Sequence, residues 1–279
     1  AKEIWGSRVA IKVGWTIALF PSVTLYSVLI LREVYLVFFL LLALYGIVSW
    51  YKTYSLKSIF IATIGFVATI FFHGGLIVGA LIFLTIVGTI SLIKFFKSFK
   101  SFKINFASLV ITLFFISIVQ LYLSNKIDVP YVGNFSHSTN FDNLQRKTEF
   151  ATRGTASWPE WTTINSPVEI IYKGPMRSVY LVFSPFPWDV NKLEHLIGML
   201  DGLLYMYLTY LILSNIKVIL HDPMLRVFLL LFLAYIFVFG IGVGNFGTGI
   251  RHRSKFVVIL ILLAAPFLKQ FILFKKVKS

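Results

Sequence analysis

The chain has 279 residues, 58% of them hydrophobic and only 13% charged, with a mean hydropathy of +0.84. That balance excludes an ordinary soluble domain and predicts an all-α integral membrane protein. The net charge of +15 needs no nucleic acid, since anionic lipid headgroups account for it, and the lack of Cys excludes disulfides, thiolate catalysis and Cys-based metal sites.

Apolar stretches near the roughly 20 residues that cross a bilayer core as helix recur along the chain. In order they predict spans at 13–31, 34–50, 58–72, 75–93, 106–123, 196–215, 227–243 and 256–274. The expected architecture is a polytopic helical bundle of about eight spans. Five lie in residues 1–123, an outer loop with an interfacial segment fills 124–195, and three spans lie in 196–279. Residues 58–93 are too long for one span, and His73-Gly74-Gly75 is the natural reversal point. The first span lacks a small-residue cleavage site and runs into Arg32-Glu33, so it does not read as a signal peptide. The opening Ala1–Arg8 already resembles an interhelical loop, so earlier spans are expected to precede it.

Orientation follows from Lys and Arg. With the N-terminus inside, the cytoplasmic segments hold 15 cations and two acids, Glu3 and Asp222, against 11 cations and nine acids outside. The positive-inside rule then holds at every loop, with both termini cytoplasmic. The Lys-Phe-Phe-Lys-Ser-Phe-Lys-Ser-Phe-Lys run at 94–103 reads as an interfacial anchor with snorkelling lysines. In the outer loop, Arg153, Trp158, Trp161, Arg177 and Trp188 gather around a segment, 176–184, that is too short to span but apolar enough to roof a cavity.

The ionisable residues near the spans all fall at their outer ends. Arg32 and Glu33 cap the first, His73 follows the third, Asp201 lies a turn or two inside the sixth, and Arg251, His252, Arg253 and Lys255 open the eighth. Intramembrane charge marks function by default. Each also has a plain alternative: a helix-end ion pair, an interhelical hydrogen bond, a helix terminator. The knot at 251–255 has the weakest one, because clustered cations repel unless an anion or carboxylates neutralise them. Glycines 240, 242, 244, 247 and 249 lead into it, and we expect their N–H groups to converge on an anion at the N-terminus of the last helix. No H-E-x-x-H or other metal-ligand spacing is present, so no metal or cofactor is expected.

Three stretches carry a resemblance: Pro21 to Glu33 with Tyr26 and Arg32, Arg177 through Ser184-Pro-Phe-Pro-Trp188, and Gly247-Thr-Gly-Ile-Arg251-His252-Arg253-Ser-Lys255-Phe256. They resemble O-antigen polymerase-like (Wzy-type) membrane proteins. The resemblance implies a glycosyltransferase of the cytoplasmic membrane that joins glycan repeat units carried on undecaprenyl diphosphate, at the outer face, alongside partners in polysaccharide assembly. On that reading Arg251, Arg253 and Arg32 hold the diphosphate, Glu33 or Asp201 is the general base, and His73, Arg153, His252 and Lys255 are further substrate-binding residues. Arg177, Trp158 and Trp188 line the sugar cleft. Three rivals remain: a GT-C-type transferase using polyprenyl-phosphate sugars, a flippase or transporter for lipid-linked oligosaccharide, and a non-catalytic scaffold.

Overall fold

The computed structural model describes residues 1–29, 31–100, 156–190 and 192–269, with scattered positions between 110 and 145. Its helices are α1 (Lys2–Trp5), α2 (Ser7–Ala18), α3 (Pro21–Val28), α4 (Glu33–Thr53), α5 (Leu56–Phe72) and α6 (Ile77–Lys100). Further along the chain come α7 (Glu169–Phe183), α8 (Leu193–Ser214), α9 (Ile216–His221), α10 (Pro223–Gly242), α11 (Phe246–Arg253) and α12 (Val257–Ala264). Among the described residues the one β pairing is the bridge between Ser157 and Asn245.

Four helices are long and apolar enough to cross a membrane: α4, α6 with its preceding turn, α8 and α10. Among the described residues there are thus four such helices, or five with α2 and α3 counted together, against the eight spans expected for the whole chain. The first expected span is not continuous. It breaks at Leu19-Phe20 and bends by 60°, because Pro21, which lacks an N–H, starts a new helix at its first position. α5 and the stretch Val257–Phe267 are apolar but shorter. The expected fifth span falls largely outside the described residues, as does the end of the eighth.

Residues 124–195 are more than a loop. Within them α7 lies along α10, its Gly174 facing the Phe237 ring and its Ser178 against Gly240. Ile171, Tyr172, Met176 and Val179 form its exposed face. The expected roof is thus a helix flush with its neighbour. Arg177, fully buried, fixes it there: Nε donates to Gly240 O at 3.0 Å and Nη1 to Thr162 O at 2.8 Å. Its Nη2 donates to the carbonyls of Ile241 and Val243. Gly240 and Ile241 belong to the last turn of α10 and Val243 caps it, and carbonyls there have no partner within the helix.

Small residues set the closest helix contact. A Cβ at Gly46 of α4 would stand 2.4 Å from Ala62 N of α5, and one at Gly65 would stand 2.5 Å from Ala43 N. Two small residues on each helix thus let the backbones touch, which is how apolar helices associate without a hydrophobic drive between them. α12 is buried on every side, all eight residues at 5% exposure or less, and forms the centre of the bundle.

The bundle has two chemically different ends. At one, Lys52 pairs with Glu3 at 2.8 Å, Trp5 donates to Leu262 O and Lys12 to Leu268 O. The other, a helix length of about 30 Å away along α4, gathers Glu33, His73, the end of α10 and α11.

Candidate functional site: an ion cluster at one end of the bundle

The site is organised by α11. Asn245 caps it, its side chain accepting from Thr248 N at 2.8 Å, while Phe246 N donates to Ala156 O and Gly249 N to Asn245 O. Where an open amide nest was expected, three N–H groups of the first turn of α11, those of Phe246, Thr248 and Gly249, are satisfied by the chain itself. The charged residues occupy the last turn of α11 instead, where the negative end of the helix dipole favours cations.

Residues two apart on a helix do not face each other, and α11 uses this to send its arginines in different directions. Arg251 turns to α4, where Nε donates to Glu33 Oε1 at 2.6 Å. Glu33 is only 2% exposed, whereas the Arg251 side chain is 36% exposed. The second oxygen, Glu33 Oε2, is buried and accepts no hydrogen bond.

Arg253 turns to α8 and is fully buried. Its Nε donates to Asp201 Oδ2 at 2.9 Å, and Nη2 donates to Gly198 O and lies 2.8 Å from the same carboxylate oxygen. Nη1 donates to the carbonyls of Val182 and Ser184. All five guanidinium donors are thereby engaged within the protein. Asp201, 2% exposed, accepts Ser22 N on its other oxygen at 3.0 Å. The pair is closed on itself and ties α3, α7, α8 and α11 together.

Beside Arg251 lies a second group. Lys255, fully buried, sits with Nζ 2.7 Å from His252 Nδ1. When Lys255 is charged its ammonium can only donate, and His252 Nδ1 accepts. His73 Nδ1 likewise accepts, from Gly75 N at 3.2 Å. The two imidazoles stand 5.0 Å apart, nearly perpendicular, and both lie against Phe239, at 4.9 and 5.0 Å. With Nδ1 accepting in each ring, the proton of the neutral imidazole rests on Nε2.

These groups lie in turns and a short helix outside the spans, and burial shapes their charge. Burial, then the Lys255, Arg32 and Arg251 charges, press His73 down to about 3. Burial and then Lys255 hold His252 well below its ordinary value. Lys255 is lowered to about 7, chiefly by burial and further by Arg32 and Arg251, with Glu33 opposing. At neutral pH the cluster offers two neutral N–H donors, two arginines and an ammonium near its titration point around one carboxylate.

Of the residues singled out from the sequence, Arg32, Glu33, His73, Arg251, His252 and Lys255 come together. Asp201 and Arg253 form the separate closed pair. Arg177 clamps α10 and covers Trp158, which is 2% exposed with the guanidinium 5.1 Å from its ring. Trp188 is exposed and stacks on Phe186, and Arg153 lies outside the described residues. Sequence reading passed over Phe239, the platform for both imidazoles, and gave Tyr26 no role, although its phenol lies in the field of Arg251, Asp201 and Glu33. Comparison with known proteins adds no identity: no family model, curated protein or solved structure matches this chain.

Proposed function

We propose that the chain is a membrane-embedded glycosyltransferase of the polysaccharide-polymerase type, acting on glycan units linked to an isoprenoid diphosphate. One observation carries this reading. Glu33 is buried with one oxygen held by Arg251 and the other without a donor, inside a cluster otherwise made of cations and N–H groups. An orphan carboxylate oxygen calls for a hydroxyl, and Arg251 and Lys255 outnumber Glu33 and call for an anion. A sugar hydroxyl beside a sugar-linked diphosphate supplies both.

In the reaction, Glu33 Oε2 takes the proton of the acceptor hydroxyl as that oxygen bonds to the anomeric carbon. The bond from that carbon to the diphosphate oxygen breaks, and the diphosphate leaves with the electron pair. Arg251, Arg32 and Lys255 neutralise it, helped by the Nε2–H donors of His73 and His252. Arg251 holds Oε1, so Oε2 stays aimed. Asp201 and Arg253, with no free donor or acceptor for a substrate, position α11 and act through Arg251. The basic end of the bundle faces the cytoplasm in this reading, with the cluster at the outer face of the cytoplasmic membrane.

A second reading, transport of the lipid-linked glycan, draws support from the broken α2–α3 helix. Discontinuous helices line substrate sites in transporters. The experiment that separates them uses membranes supplied with lipid-linked repeat units from the same host. Arg251→Ala should accumulate normally yet extend no chains. If Arg251→Ala extends chains as wild type does, the enzymatic reading fails, and loss of translocation alone favours transport.

A further inference from the structure

Resting on the glycan reading above, we infer that a run of aromatic rings on the outer segment, at the same end of the bundle as the ion cluster, is a track for the glycan chain itself rather than for its diphosphate. Trp161 lies 5.8 Å from Tyr180, Tyr180 lies 5.3 Å from Phe186, and Phe186 stacks on Trp188 at 4.9 Å with 12° between the rings. Trp161 is 50% and Trp188 72% exposed. The step between rings is close to the length of one pyranose, whose C–H faces pack on aromatic surfaces.

The track is joined to the ion cluster through covalent and packed neighbours. Trp158 lies 5.8 Å from Tyr180, donates its backbone N–H to Gly244 O, and packs beside Gly249 of α11, two residues from Arg251. Its indole N–H is buried and has no acceptor. Carboxylates flank the rings: Asp189 Oδ2 accepts Phe186 N at 3.0 Å, and exposed Glu160 adjoins Trp161. Exposed aromatics also occur where proteins meet the headgroups of a bilayer. Two features favour glycan. The rings contact one another in series, and they sit on turns and on a helix too short to span, not spread round the ends of the spanning helices.

The consequence is a polymerase that holds several sugars of a chain at a distance from the bond being made. Chain length then depends on the track, whereas bond formation depends on the cluster.

The test places a photoreactive amino acid at Trp188, in the full chain expressed in its host, with the same group at Phe38, exposed on the apolar helix α4, as control. Irradiated protein is digested and its adducts are weighed. The track predicts periodate-sensitive glycan adducts at 188 and only acyl-lipid adducts at 38. Lipid adducts alone at 188, or no glycan adduct there, overturn it. In parallel, Trp161→Ala with Trp188→Ala should weaken retention of the chain about tenfold, two stacking contacts being lost, and shorten the polymer while chain initiation continues. Unchanged polymer length also overturns it. Glycan adducts at 188 together with a fully active Glu33→Gln would keep the track and sink the enzymatic reading. No adducts with an inactive Glu33→Gln would do the reverse.

Discussion

Replacing Arg253 by Ala should cost the protein its fold, whereas replacing Arg251 should cost only its activity. Removing the Arg253 guanidinium strands Asp201 at 2% exposure, and breaking one side of a buried pair costs about 3–5 kcal/mol. It also orphans the carbonyls of Val182 and Ser184 at the end of α7, each worth roughly 1–3 kcal/mol if left without a donor. Set against a total stability of about 5–15 kcal/mol, that loss is close to disabling. Arg251 is different: its side chain is 36% exposed, and water can replace it at Glu33. The assay is the amount of protein in membranes and the thermal midpoint of the detergent-purified protein, beside glycan extension. Arg253→Ala should accumulate poorly or melt well below wild type, and Arg251→Ala should match wild type in both. Arg253→Met combined with Asp201→Leu removes both charges and should recover part of the loss. If Arg253→Ala accumulates and melts as wild type while extension is abolished, Arg253 acts on substrate and the closed-pair argument is wrong.

Other expectations concern packing, charge and orientation. A Cβ at Gly79 would lie 1.8 Å from the Tyr235 hydroxyl, so Gly79→Ala should lower stability by about 1–3 kcal/mol, and adding Tyr235→Phe should relieve it in part; an unchanged melting point would count against the packing. Lys255, lowered to about 7, gains its charge as pH falls, so sulfate, an anion whose own charge is constant over this range, should bind more tightly at pH 6 than at pH 8. His73, held near 3, stays neutral across that window, and burial lowers His252 too, so Lys255→Met should flatten the profile, and a flat profile in wild type would remove Lys255 from the anion site. A reporter active only outside the cytoplasm should be active when fused after Val190 and silent after Thr53, and the reverse would turn the bundle over.

Much of the bundle was legible because long apolar runs leave few choices. The runs at 34–50, 58–72, 196–215 and 227–243 correspond to α4, α5, α8 and α10 within a few residues, and His73-Gly74-Gly75 does reverse the chain. The break before α3 was missed because Leu19-Phe20-Pro21 is as hydrophobic as its surroundings; the signal was proline, which starts helices and does not continue them. The glycines before Arg251 looked like an open nest, but Asn245 three residues before Thr248 is a capping pattern and closes it. Sequence could nominate Arg251 and Arg253 together and not tell them apart. Only the partners on α4 and α8, 218 and 52 residues away, show that one arginine is partly free and the other fully consumed. Likewise, the sequence favoured Glu33 only slightly over Asp201 as the proposed base, and the unoccupied oxygen of Glu33 beside the two occupied oxygens of Asp201 supports the same choice.

The central claim is that Glu33 Oε2 receives the acceptor's proton, and Glu33→Gln tests it most directly. The amide keeps the shape and can still accept Arg251 Nε, yet it cannot take up that proton. Purified Glu33→Gln should bind the lipid-linked glycan like wild type while its rate of chain extension falls by roughly 10²–10⁴-fold, the usual worth of a general base. Extension at the wild-type rate with binding intact would contradict the account.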